Sequence, residues 1–101
     1  MNLEHYSSQK LKSEVRAVVG KYLDLSVWKV FFFGSRVKGD NLPASDIDIG
    51  IDGPEKVSSQ KKLQMQEDLN NIRILYKIDL VDFNQVADEF KKEALKSVEY
   101  V

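Results

Sequence analysis

Residues 34–51 read GSRVKGDNLPASDIDIGI, and the last six of them decide the architecture. Ile47, Ile49 and Ile51 alternate with Asp46, Asp48 and Gly50. That is the period of a strand over residues 46–51, with one face in a core and the other turned away from it. Aspartate is disfavoured inside strands. Two aspartates on one strand face, roughly 6–7 Å apart at the backbone, oppose local propensity, and departures of that kind tend to mark functional sites. Carboxylates so close raise each other's pKa unless a cation lies between them, and their hard oxygens suit Mg²⁺ or Mn²⁺. The plainer reading is an exposed strand face bearing ordinary surface acids. Gly50, next along the face, is expected to leave open space.

The start of the stretch has a different chemistry. Gly34 and Ser35 directly follow an apolar run, and a glycine there lets an anion approach the backbone closely. Residues 35–39 can form one helical turn, whose first N–H groups would point outward toward a phosphate. The Ser35 hydroxyl adds a donor, Arg36 can bind phosphate oxygens in pairs, and Lys38 adds charge. By itself this is also how a common strand-ending turn with two surface cations reads. Residues 40–45, with Asn41 and Pro43, read as a loop.

Working outward, residues 26–33 carry Val27, Trp28, Val30, Phe31, Phe32 and Phe33 and predict a central strand. Residues 77–83 predict a third strand, with Ile78 and Leu80 on the core face and Asp79 on the other. Asp82, three positions on, falls on the opposite face of a regular strand, although a bulge could reverse the two. Asp40 and Asp52 read as loop or strand-end acids. Leu11, Val15, Val18, Val19 and Tyr22 recur at helical spacing over residues 8–23. Ser58 or Ser59 can cap a helix running to about residue 70, lined by Leu63, Gln66 and Leu69 or by Met65, Leu69 and Ile72. Asn84 can cap a last helix carrying Val86, Phe90, Leu95 and Val98. The order of elements predicts an α+β fold, a small α/β sandwich with a mixed sheet and helices packed on one side.

Composition sets bounds. A chain of 101 residues is expected to form one domain over residues 1–101, with too little volume for a deep private substrate cavity. The net charge is −1, so no global basic field points to nucleic acid. No apolar run approaches the ~20 residues needed to cross a bilayer, and the first ten residues lack the apolar core of a signal peptide. Cysteine is absent, which excludes disulfides and thiolate metal sites. A cytoplasmic protein is expected.

Gly34-Ser35, ten intervening residues, then Asp46-Ile47-Asp48 resembles the signature of the polymerase-β-like nucleotidyltransferase superfamily. The local text is similar to its minimal nucleotidyltransferase (MNT) branch. KIDLVDF, residues 77–83, resembles the third motif of that family, whose acid would be Asp79. The likeness runs from Trp28 to Phe83. It implies the nucleotidyltransferase fold and a mechanism in which two Mg²⁺ ions (Mn²⁺ is an alternative), typically ~3.5–4 Å apart, clamp the attacking and leaving oxygens. Asp46 and Asp48 would bridge both metals. Asp79 would hold the ion nearer the acceptor hydroxyl. Gly34, Ser35, Arg36 and Lys38 would seat the phosphates of ATP. Larger relatives carry extra domains for base and acceptor, so the resemblance implies a partner. Minimal domains of this type commonly pair with a small helical HEPN toxin, and the MNT member acts as an antitoxin that can AMPylate a tyrosine of the toxin. A hetero-oligomer is expected, with no direct nucleic acid contact and no membrane.

Other chemistries fit poorly. Ser35 is not in a G-x-S-x-G elbow and His5 is the only histidine, which argues against a serine hydrolase. No Walker A loop or dinucleotide fingerprint occurs. Two rival readings remain: an antitoxin that neutralises by binding alone, and a small-molecule nucleotidyltransferase that borrows its acceptor site from a second chain. The exposed sides of the terminal helices, including Phe90, Tyr100 and Val101, are candidate contact surfaces, with core packing the plainer role for Phe90.

Overall fold

The computed structural model describes residues 3, 6–34, 37 and 46–101. Among them the chain forms α1 (Ser8–Gly20), β1 (Lys29–Phe33), β2 (Ile47–Asp52), α2 (Ser59–Asn70), β3 (Ile78–Asp82), α3 (Asp88–Ala94) and β4 (Glu99–Tyr100). His5, Ser35, Arg36, Lys38 and the expected loop at 40–45 lie outside the described residues.

The two long helices start where serine can cap them. The Ser7 hydroxyl accepts from the Lys10 N–H, and the Ser58 hydroxyl from the Lys61 N–H, both at 3.2 Å, satisfying N–H groups that a helix start leaves without partners. α1 buries Leu11, Val15, Val18 and Val19. α2 buries Met65 and Leu69, whereas Leu63 is exposed, so the second of its two expected stripes is the inner one. The Tyr22 hydroxyl ties the helices together by donating to Asp68 at 2.6 Å. That bond, with Lys21 beside it at 3.3 Å, holds the Asp68 carboxyl below the usual carboxylate range.

The sheet order is β3-β2-β1-β4. β1 runs antiparallel to β2 and to β4, while β2 and β3 are parallel, so the sheet is mixed as expected. β1 begins later than its β-formers suggest. Asp24 accepts from the Ser26 amide and hydroxyl at 2.9 and 2.7 Å, and its carbonyl takes the Val27 and Trp28 N–H groups. This Asx-type turn uses up the backbone donors that a longer strand would need.

One face of the sheet carries Val30, Phe32, Ile47, Ile49, Ile51, Ile78 and Leu80, packed in one core with the buried residues of α1 and α2. The two long helices therefore share one side. The other face holds a second, aromatic core of Phe31, Phe33 and Phe83. Phe31 and Phe33 meet the Phe83 ring edge-on, with centroids 4.9 and 5.1 Å away. The short α3 leans onto this layer through Phe90, 6.0 Å from Phe33 and 5.9 Å from Phe83.

Three expectations are corrected. Asn84 caps no helix: its side chain donates to the Gly53 and Glu55 carbonyls, each at 2.8 Å, and α3 starts later, after Ala87, without a side-chain cap. Tyr100 and Val101 do not end a helix. Tyr100 lies in β4 opposite Phe31, and Val101 donates its N–H to the Val30 carbonyl at 3.0 Å. An ion pair between Lys12 and Glu99 at 3.0 Å pins β4 to α1. Nor does Gly50 leave open space, because a Cβ there would collide with the Phe31 and Phe83 rings. Among the described residues no helix is long and apolar enough to cross a membrane.

Candidate active site

The parallel pairing of β2 with β3 sets Asp48 directly beside Asp79, while the antiparallel pairing with β1 sets Phe33 on its other flank. Ile47 and Ile49 are buried on the reverse side, as are Ile78 and Leu80. Four apolar anchors thus fix the two carboxylates on one face. Asp48 is half-buried, Asp79 exposed on the edge strand, and Asp46 exposed just ahead of β2.

Burial pushes the Asp48 carboxyl above the usual carboxylate range, and the negative charges of Asp79 and Asp46 push it further. The charges of the other two acids named from the sequence are thus felt at Asp48. Among the described residues no group of three or more histidine, aspartate or glutamate side chains is placed to hold a metal ion. The chemistry of the donor set nonetheless suits a hard divalent cation: carboxylate oxygens only, Asp48 and Asp79 side by side in register, with a repulsion at Asp48 that a positive ion would relieve.

Asp82 is elsewhere. It pairs in register with Ile51 on the helix side of the sheet and is 1% exposed. Its two oxygens accept from the Val57 N–H at 2.8 Å and the Asn84 N–H at 2.9 Å, which ties down the chain leaving β2. β3 has no bulge to exchange the two acids. Asp52, at the far end of β2, faces Lys91 of α3 at 3.6 Å.

Gly34 closes β1 with φ 84°, a conformation that side chains other than glycine's rarely adopt. A Cβ at this position would also strike the Asp48 carboxylate, so only glycine brings the turn so near the acid. Val37 is helical, its N–H bonds to the Gly34 carbonyl at 3.2 Å, and its side chain packs on the helix-side core. The turn is thereby anchored at both of its described ends.

Between the turn and α3 lies a cavity of about 240 Å³ lined by Phe33, Gly34, Asp48, Phe90, Glu93 and Ala94. Two further depressions, of about 470 and 380 Å³, meet at Asp79 from opposite sides of Gln66. Phe33, Glu93 and Gln66 were not among the site residues expected from the sequence. Phe33 could have been, since it immediately precedes Gly34 on the acid-bearing parity of the sheet. Glu93 and Gln66 give no local signal, because polar residues on helices are ordinary.

Residues 9–101 match the family described as Polymerase beta, Nucleotidyltransferase. The chain is 28% identical over 89 residues to the Haemophilus influenzae protein called "Probable protein adenylyltransferase MntA", covering 86% of this chain and 78% of that one. Its fold resembles that of a toxin–antitoxin crystallised with AMP-PNP (TM-score 0.72, 16% identity, 88% of this chain and 70% of the other). It also resembles the structure of tri-AMPylated Shewanella oneidensis HEPN toxin in complex with MNT antitoxin (TM-score 0.71, 14% identity, 93% and 71%). With a family match over residues 9–101, almost its whole length, the chain belongs to the polymerase beta nucleotidyltransferase family.

Proposed function

We propose that this chain is an AMPylating antitoxin, which uses two divalent cations, Mg²⁺ by preference, to transfer AMP from ATP to a tyrosine hydroxyl of a helical HEPN-type toxin. The observation that carries the reading is the register of Asp48 with Asp79 beside the Gly34 turn. The similarity to MntA supplies the adenylyl donor and the protein acceptor.

In this reading Asp46, Asp48 and Asp79 would hold the divalent cations. The cations, when bound, neutralise charge on the phosphates and favour the deprotonated acceptor. The Gly34 turn with Ser35, Arg36 and Lys38 seats the β- and γ-phosphates. The acceptor oxygen forms a bond to the α-phosphorus. The bond from that phosphorus to the oxygen bridging it to the β-phosphate breaks, and pyrophosphate leaves with the electron pair. Asp79, exposed at the sheet edge, would take up the acceptor proton or pass it to water. Positioning and charge supply most of the rate.

The test uses the chain with a purified HEPN partner, ATP and Mg²⁺, read by intact mass and by toxin activity. Mass equal to one or more adenylates on the toxin, lost together with neutralisation in Asp46→Asn/Asp48→Asn, is the expected result. Neutralisation that survives the double substitution with no adenylate on either chain would make the protein a binder rather than an enzyme. Transfer to a small molecule, with the toxin unmodified, would replace the protein acceptor.

A further inference from the structure

Among the described residues β3 is an edge strand, so one row of its backbone groups has no described strand to pair with. Asp79 sits on this strand, exposed, where backbone freedom would blur the position of its carboxylate. A single side chain on α2 removes that freedom. Gln66 donates from Nε2 to the Ile78 carbonyl at 2.8 Å, and its Oε1 accepts from the Leu80 N–H at 2.9 Å. These are the two bonds that a neighbouring strand would supply, and they fall on the residues immediately before and after Asp79. Both ends of the amide are engaged, so its orientation is fixed, and a further bond from Nε2 to Asn70 Oδ1 at 3.0 Å holds it from one turn along the helix. Met65 and Leu69, buried on either side of Gln66 in α2, prevent the helix from shifting away.

We propose that Gln66 is a positioning residue: its amide acts as a one-residue strand that clamps the backbone on both sides of Asp79 and so sets where that carboxylate meets the cation. The clamp does not touch substrate. It rests on the reading of Asp79 as a metal-holding acid. Edge protection alone would account for one bond to the strand, but the clamp centres on Asp79, and the two depressions that meet there lie on either side of Gln66. A polar group that orients a metal-holding residue typically alters metal affinity or activity by about 10–100-fold when removed.

Gln66→Met keeps the length of the side chain and removes all three bonds. Asn70→Ala, at an exposed position, weakens the clamp without touching the strand and serves where Gln66→Met folds poorly. Both are compared with wild type and Asp79→Asn in AMP transfer to the toxin, with ATP and Mg²⁺ varied separately. For Gln66→Met the expected result is a fall in kcat of about 10–100-fold and a raised Mg²⁺ requirement, with the KM for ATP within about twofold. Asn70→Ala should shift the Mg²⁺ requirement in the same direction by a smaller factor, and amide exchange at Leu80 should quicken in Gln66→Met. Variants that lose melting temperature but keep kcat and Mg²⁺ requirement, beside an inactive Asp79→Asn, would reduce Gln66 to an edge cover and overturn the proposal. Transfer that persists in Asp79→Asn would instead remove the reading of Asp79 on which the proposal stands.

Discussion

Asp79 and Asp82 share one five-residue strand and answer to opposite demands. Asp82 is buried and accepts two backbone N–H groups, so its carboxylate holds the connection after β2 in place. Asp82→Ala leaves those donors without partners and is expected to cost about 2–4 kcal/mol, measured by urea unfolding, while transfer at temperatures well below melting persists. Asp48 behaves in the reverse way. Burial, then Asp79 and Asp46, raise its pKa in the folded protein. At pH below the ordinary carboxylate value of about 3.9, Asp48 is protonated whether the chain is folded or not, and it contributes no penalty. As pH rises past that value, the unfolded chain releases the proton first, and stability falls until the folded group has also ionised. Asp48→Asn should therefore stabilise the metal-free protein at neutral pH, leave it unchanged at low pH, and abolish AMP transfer. Thermal melts across that range decide it, and equal stability of the two proteins at neutral pH would contradict the sign. A substitution that gains stability by losing function marks a group held against its electrostatic preference.

At the scale of elements, the acid-bearing face is divided between chemistry and packing. The end of β2 near the Gly34 turn presents Asp48, while one strand repeat further on Gly50 lies beneath Phe31 and Phe83. Gly50→Ala forces those rings apart and is expected to cost about 1–3 kcal/mol, which a thermal melt would register as a loss of roughly 4–8 °C per kcal/mol. An unchanged melting temperature would mean that the aromatic layer is loosely seated. The division explains what could be read without coordinates. Alternation in residues 46–51 tells which side of the strand each residue faces, and the apolar side and the acids followed from it. It does not tell what covers the other side, because the rings over Gly50 come from β1 and from Phe83, more than thirty positions away in the sequence. Asn84 carried a helix-cap signal that tertiary structure redirected to the Gly53 and Glu55 carbonyls. β4 has only two residues, too few for a period to show. It exists because β1 offers a free edge and Lys12 holds Glu99. Gln66 was legible only as a residue of a helix stripe, since its partners lie on a strand that approaches it in space.

The whole molecule combines these levels in one balance between fold and ligand. The described chain packs two long helices against one side of a four-stranded sheet and leaves the other side partly aromatic and partly acidic. The acidic part opposes folding until positive charge arrives, so binding and stability must be linked. A ligand that binds only the folded state at 100 times its Kd adds about 2.7 kcal/mol. For a domain of this size that corresponds to roughly 10–20 °C in melting temperature. Mg²⁺ together with a non-hydrolysable ATP analogue should therefore raise the melting temperature by an amount that grows with ligand concentration, and chelation of the metal should reverse it. Mg²⁺ alone should give a smaller rise, because it usually relies on phosphate oxygens to complete its shell. In Asp48→Asn the starting temperature is higher but the ligand-induced rise should largely vanish, so the two melting curves cross as ligand is added. A rise of equal size in wild type and Asp48→Asn would show that the nucleotide is held without the acids of β2. The crossing of the curves is the sharper measurement, because a surface that merely collects cations would shift both proteins in parallel.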